Sequence, residues 1–168
     1  MMRVRVWLMV ACVGLCACAG SQFKDHVFEE GDLRYRLGDP DTGFRLVDID
    51  DNDVSYFHED LGTIGIHATC EGYDDVPPKA LLNHLLFGTT DREEKLEETV
   101  TLDGRGALHA LYEVTLDGVP VTLDVYVLTK DGCIFDFSHV AASPPPAAGT
   151  EAFRRLVYGF ALINSPGP

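Results

Sequence analysis

The sequence predicts an α+β fold, an antiparallel sheet of about six to seven strands sandwiched by helices. Three observations carry this. Asp-Gly occurs at Asp103-Gly104, Asp117-Gly118 and Asp131-Gly132, each pair 14 residues after the last. Between β-branched runs such a pair accepts the positive φ angles of a two-residue hairpin turn. The runs between these turns are apolar on both alternating sets, as strands covered on both faces must be. Two stretches of helical periodicity flank them, at residues 77–87 and 150–163.

Two-residue turns fix the register of this four-stranded meander. Leu116 faces Val119, Tyr112 faces Leu123 and Ala110 faces Val125; in the next hairpin Leu128 faces Phe135, Tyr126 faces Phe137 and Asp124 faces His139. One side then carries Ala110, Tyr112, Val114, Leu123, Val125, Val127 and Ile134. The other carries Leu111, Tyr126, Leu128, Phe135 and Phe137, interrupted by His109, Glu113, Asp124 and His139.

Earlier in the chain, residues 33–37 form a first strand ended by Gly38-Asp39-Pro40. Residues 44–49 and 54–58 make a hairpin around an acidic loop. Residues 62–70 alternate Ile64, Ile66, Ala68 and Cys70 against Gly65, His67 and Thr69, a strand with one apolar face. Pro77 and Pro78 open a helix that Gly88 stops. Thr90-Asp91-Arg92-Glu93 has the spacing of a capping box and predicts a short second helical turn. Pro144-Pro145-Pro146 separates the last strand from the final helix, whose buried face is Phe153, Leu156, Val157 and Phe160, with Pro166 preventing continuation.

The amino terminus reads differently. Arg3 and Arg5 precede an apolar run over residues 6–15, with no acid before Asp25. That is the layout of a secretory signal, too short to span a bilayer. Leu15-Cys16-Ala17-Cys18 resembles the bacterial lipobox, in which the final Cys is lipidated and becomes the first residue. The sequence thus divides into a lipoprotein signal peptide at 1–17, Cys18 with a short tether at 18–27, and a single domain at 28–164. The alternative is a soluble secreted protein cut near Ala17 or Ala19; Cys12 is a poorer lipidation position, with Met9 at −3. Ala19 after the lipidated Cys matches sorting to an outer membrane, facing the periplasm.

The net charge of −14 repels phosphate backbones and anionic head groups, which argues against nucleic acid as a partner and leaves the membrane reachable through the anchor only. Of five cysteines, Cys70 and Cys133 alone fall in the domain, and an even pair in an exported chain suggests a disulfide. Two buried thiols are the alternative.

Candidate chemistry is sparse. Asp48, Asp50, Asn52 and Glu59 occupy positions 1, 3, 5 and 12 of an EF-hand-like spacing, a weak calcium candidate, since Asp53 replaces the glycine and strands flank the loop. His109, Asp124, Tyr126 and His139 share one face of the sheet with Glu113, and an Asp orienting a His is the beginning of acid–base machinery or a metal site. No Ser or Cys accompanies them on that face, and the chain carries no phosphate loop, Cys-x-x-Cys or cofactor motif, so no catalytic residue and no cofactor is assigned.

The order of elements resembles the PsbP-like α/β/α sandwich. Ile66-His67-Ala68-Thr69-Cys70, the run from His84 to Arg92, and Gly132-Cys133-Ile134-Phe135-Asp136-Phe137 are similar to short lipoprotein sequences of delta-class proteobacteria. The resemblance spans residues 33–163 and brings no established activity; the wider fold implies an accessory or assembly role without catalysis. The expectation is a non-catalytic, lipid-anchored envelope protein that binds a protein partner or supports an envelope complex. The alternatives are a small-ligand carrier with a pocket between sheet and the 77–87 helix, lined by Tyr126, Phe135, Phe137 and His109, and a hydrolase or metal-dependent enzyme at Asp124 and His139.

Overall fold

The computed structural model describes residues 22–41, 43–70 and 76–166. The signal at 1–17, Cys18 and the acidic pair Asp74-Asp75 lie outside the described residues. Among the described residues the chain runs β1 (Gln22–Lys24), β2 (Val27–Glu30), β3 (Leu33–Arg36), β4 (Arg45–Val47), β5 (Val54–His58), β6 (Gly62–Thr69) and α1 (Pro78–Leu85). It continues with β7 (Thr89–Leu102), β8 (Arg105–Leu116), β9 (Val119–Lys130), β10 (Cys133–Ala142), α2 (Ala147–Tyr158) and β11 (Ala161–Asn164). One sheet has seven strands in the order β4-β5-β6-β10-β9-β8-β7, and a second has four in the order β1-β2-β3-β11.

The Asp-Gly turns set the large sheet. Asp103, Asp117 and Asp131 have φ of 44°, 49° and 50°, and the glycines after them 76°, 81° and 80°. Positive φ at both central residues is the type I′ hairpin, whose twist matches that of the strands it joins. The register follows as the sequence requires: Leu116 opposes Val119, Tyr112 opposes Leu123, Tyr126 opposes Phe137 and Asp124 opposes His139.

Both faces are covered. Ala110, Tyr112, Val114, Leu123, Val125, Val127 and Ile134 are buried with Leu81, Leu82 and Leu86 of the α1 region. Tyr126, Leu128, Phe135 and Phe137 are buried on the other side with Phe153, Leu156 and Val157 of α2, and with Phe28 and Tyr35 of the small sheet. Each fully buried Leu or Phe contributes about 2 kcal/mol of transfer free energy, so these two layers dominate the fold's stabilisation. Cys70 and Cys133 form a disulfide across the ends of β6 and β10, with their Cα atoms 4.0 Å apart.

Three expectations need correction. Thr90-Asp91-Arg92-Glu93 does not start a helix; it opens β7, with a register irregularity between Thr90 and Glu93. Here Arg92 reaches back to the Leu86 carbonyl at 2.6 Å, and pairing along all of β8 outweighs the local capping signal. The final helix begins earlier and ends at Tyr158, capped by Gly159; the last three residues assigned to it, 161–163, belong to β11, which pairs with β3. Finally, β1 and the start of β2 occupy part of the stretch read as tether, and the second sheet they help to build was not foreseen.

Candidate functional site

Adjacent strands β7, β8 and β9 bring Glu98, His109, Asp124 and Tyr126 to the face that α2 covers. His109 Nε2 lies 2.9 Å from Asp124 Oδ1, and its Nδ1 lies 3.1 Å from Glu98 Oε1. Carboxylates only accept, so both are full hydrogen bonds only when the ring is the imidazolium. Burial works against that cation, but the hydrogen bonds to Asp124 and Glu98 and their charges outweigh it and hold the His109 pKa above its ordinary value. The ring stacks on Tyr126 at 4.0 Å between centroids, with 4° between planes. Tyr126 is packed in turn by Phe153 and Tyr158 of α2.

The sequence placed His139 on the same face, and there it stands, directly opposite Asp124. Its hydrogen bond goes elsewhere, from Nε2 to the Leu61 carbonyl at 2.8 Å. The ring packs against Phe153, and burial pushes its pKa below the ordinary value. The Asp124–His139 dyad is therefore not formed as a hydrogen-bonded pair; the diagonal neighbour His109 takes its place. Glu113 is drawn off by Lys95, at 3.0 Å. What remains is a histidine held by two carboxylates with both ring nitrogens occupied, an arrangement suited to holding charge rather than to abstracting a substrate proton.

Two other assignments dissolve. Asp48, Asp50 and Asn52 lie in the turn before β5 and Glu59 in the turn after it. An extended five-residue strand separates them, on the order of 20 Å at the usual rise per residue. Asn52 is engaged with Ser55 at 3.0 Å. Among the described residues no three His, Cys, Asp or Glu side chains converge to hold a metal ion. The carrier pocket is also displaced: Tyr126, Phe135 and Phe137 lie under α2 rather than α1, and at 3%, 0% and 0% exposure they are core.

A second polar row was missed. On the other face of the sheet His67 Nε2 lies 2.9 Å from Thr69 Oγ1, while its Nδ1 faces Asp53 Oδ1 at 3.7 Å. The Tyr35 hydroxyl donates to Asp53 Oδ2 at 3.0 Å, tying the small sheet to the large one. Asp136 opposes His67 across the β6–β10 ladder. Burial pushes its carboxyl up to about 6 against the opposing influence of His67 and His84, and its buried Oδ1 has no hydrogen-bond partner. The signal was present, since Gly65, His67 and Thr69 are the polar phase of a strand whose neighbour offers Asp136 and Ser138 in the same phase.

Two clefts open where the layers part, beside β1 and β4. One, of about 490 Å³, is lined by Lys24, His26, Asp39, Phe44 and Tyr56 among others. The next, of about 370 Å³, is lined by Phe28, Val47, Ile49 and Val54, and Phe23 and Leu46 border both.

The doubly covered antiparallel sheet defines an α+β protein, with a fold that PsbP-like proteins share. The chain is similar to cyanobacterial PsbP (CyanoP) from Synechocystis sp. PCC 6803, with a TM-score of 0.54 and 15% identity over 92% of this chain and 98% of that one. It is similar as well to LpqN of Mycobacterium tuberculosis, described as involved in cell envelope biogenesis, with a TM-score of 0.58 and 15% identity over 85% and 89% of the two chains. At such identities the likeness is one of fold. No family model matches the sequence, and no curated protein sequence matches it.

Proposed function

We propose that this chain is a non-catalytic accessory protein of the bacterial cell envelope, anchored through lipid on Cys18 and binding a protein partner. One observation carries the reading: on the face beneath α2, the polar groups that could start chemistry are spent inside the fold. Glu98 and Asp124 occupy both nitrogens of His109, and His139 is committed to the Leu61 carbonyl. The rigid, doubly covered sheet is then a platform, and its binding surface lies at its edges. The likeness to LpqN supports an envelope setting. The lipobox at residues 15–18 and the position of Ala19 support an anchor in the outer membrane facing the periplasm, as in the lipoprotein sequences of delta-class proteobacteria that the chain resembles. The alternative of a hydrolase centred on Asp124 and His139 loses its dyad.

Fractionation of cells carrying the parent chain and Cys18→Ala tests the anchor: the parent is expected in the membrane and the variant in the soluble fraction. Continued membrane association of the variant, resistant to salt and carbonate, would refute acylation there. Crosslinking in the native envelope, followed by affinity purification, tests the partner; a chain recovered without crosslinked protein contradicts the accessory role.

A further inference from the structure

Resting on that reading, we propose that the partner presents an extended basic segment that adds as a strand to β4 and lays its inward side chains into the clefts beside β1. Among the described residues β4 and β1 are terminal strands of their sheets, so each has one row of backbone groups outside any ladder there. Such an edge is a template for strand addition. The two free edges of the large sheet are not equivalent. β7 carries Glu93, Glu94, Glu97 and Glu98 and two register irregularities, features that discourage pairing. β4 reads Arg45-Leu46-Val47, with Leu46 55% exposed and Ile49 just beyond it 39% exposed.

The clefts state what the added strand must carry. Leu46 and Phe23 border both, so they form one trough with two halves. The half bounded by Phe44, Tyr56, Asp25 and Asp39 pairs aromatic faces with carboxylates, a setting for a Lys or Arg side chain. The other half offers Val47 and Ile49 above the core residues Phe28 and Val54 to an aliphatic side chain, with Asp48 among its polar lining for a basic neighbour. Across both halves the lining carboxylates outnumber the basic side chains, and the chain as a whole carries −14; a cationic segment is complementary on both scales. Alternate residues of a strand point to one face about 7 Å apart, which places a basic and an apolar residue two positions apart in the segment.

The test titrates the full-length chain, purified in a mild non-ionic detergent, with a labelled octapeptide of the pattern Lys-Thr-Val-Thr-Lys-Thr-Val-Thr, which sets Lys and Val in turn along one face of the strand, and with its Glu-for-Lys counterpart. Expected are saturable binding by the basic peptide that weakens with salt, binding at least about tenfold weaker for the acidic one, and slowed amide exchange in residues 45–47. Leu46→Arg, at an exposed position, should weaken binding about tenfold, whereas Leu96→Arg on β7 leaves it unchanged. Equal binding of both peptides, equal loss in both variants, protection confined to another strand, or no binding at about 1 mM peptide each overturns the proposal. A photocrosslinking residue at position 46 or 96 separates it from the accessory role. Envelope protein captured at 96 and not at 46 overturns the trough alone, and capture at neither overturns both. Capture at 46 supports the trough only where the basic peptide competes it away.

Discussion

His109 bonds Asp124, its diagonal neighbour on β9, at 2.9 Å, although the residue directly opposite Asp124 on β10 is another histidine. The choice has a pH signature. The folded state holds the His109 pKa above its ordinary value, and the unfolded chain has about 6.5. Its stabilisation is therefore complete below about pH 6.5 and is lost as pH rises through the higher folded value.

Replacing His109 by Gln is thus expected to cost about 2 kcal/mol at acid pH, the scale of charge-assisted hydrogen bonds, and less at alkaline pH. Urea denaturation of parent and variant between about pH 5.5 and 9 measures it. A difference that is flat across this range would show that the imidazolium is not what the two carboxylates hold. His139 acts with the opposite sign. Burial lowers its pKa, so its stabilisation is present above the unfolded value and declines as pH falls through the folded one. His139→Gln should narrow the loss on acidification.

Asp136 runs the other way from most carboxyls. Burial lifts it to about 6, so the protonated form suits the fold and ionisation opposes it. The contribution is intact below the unfolded pKa of about 4 and is lost as pH rises through the folded value near 6. Asp136→Asn, which keeps the shape and removes the charge, should raise stability at pH 8 by about 2 kcal/mol and leave it unchanged near pH 4. Thermal melts at the two pH values decide it, and equal shifts in both would point to packing in place of charge.

The disulfide closes the chain between Cys70 and Cys133, a sequence separation of 63 residues. In the chain-entropy model a loop of that length stabilises by about 4 kcal/mol. The double replacement by Ser should lower the urea midpoint accordingly, and reduction of the parent should reproduce the effect. A parent chain whose two thiols alkylate without prior reduction would contradict the bond.

How much of this was legible depends on the distance over which each feature is decided. Asp103, Asp117 and Asp131 set their turns within four residues, so the meander, its register and its two faces follow from local chemistry. The small sheet joins residues 22–36 to β11, which pairs Ala161 with Arg36, and nothing near either segment announces the other. Leu156, Val157 and Phe160 keep helical spacing straight past Gly159, which hid the end of α2. The shared face of His109, Asp124 and His139 was readable from period two. Which histidine Asp124 binds was not, because Leu61 and Phe153 claim His139 from outside the meander. The clefts lie between two layers, and layer spacing is written in no single stretch.

That layer spacing also rests on a close approach between Gly38 and α2. A Cβ built on Gly38 would lie 2.2 Å from the Arg155 carbonyl oxygen and 3.1 Å from the Leu156 Cα. Both are backbone atoms, held in place while the Gly38 amide donates to the Leu156 carbonyl at 2.9 Å. Neither can rotate away as a side chain end would, so Gly38→Ala must push α2 off the small sheet. Overpacking of this kind costs about 3 kcal/mol. Gly118→Ala is the matching control. At φ of +81° it too strains an L residue, but nothing lies within 4 Å of its added Cβ, and the cost should be about 1 kcal/mol. Urea midpoints rank the two, and amide exchange in β3 and β11 should quicken for Gly38→Ala alone. If the two variants lose equal stability, close packing of Gly38 on α2 is not what sets the separation of the layers.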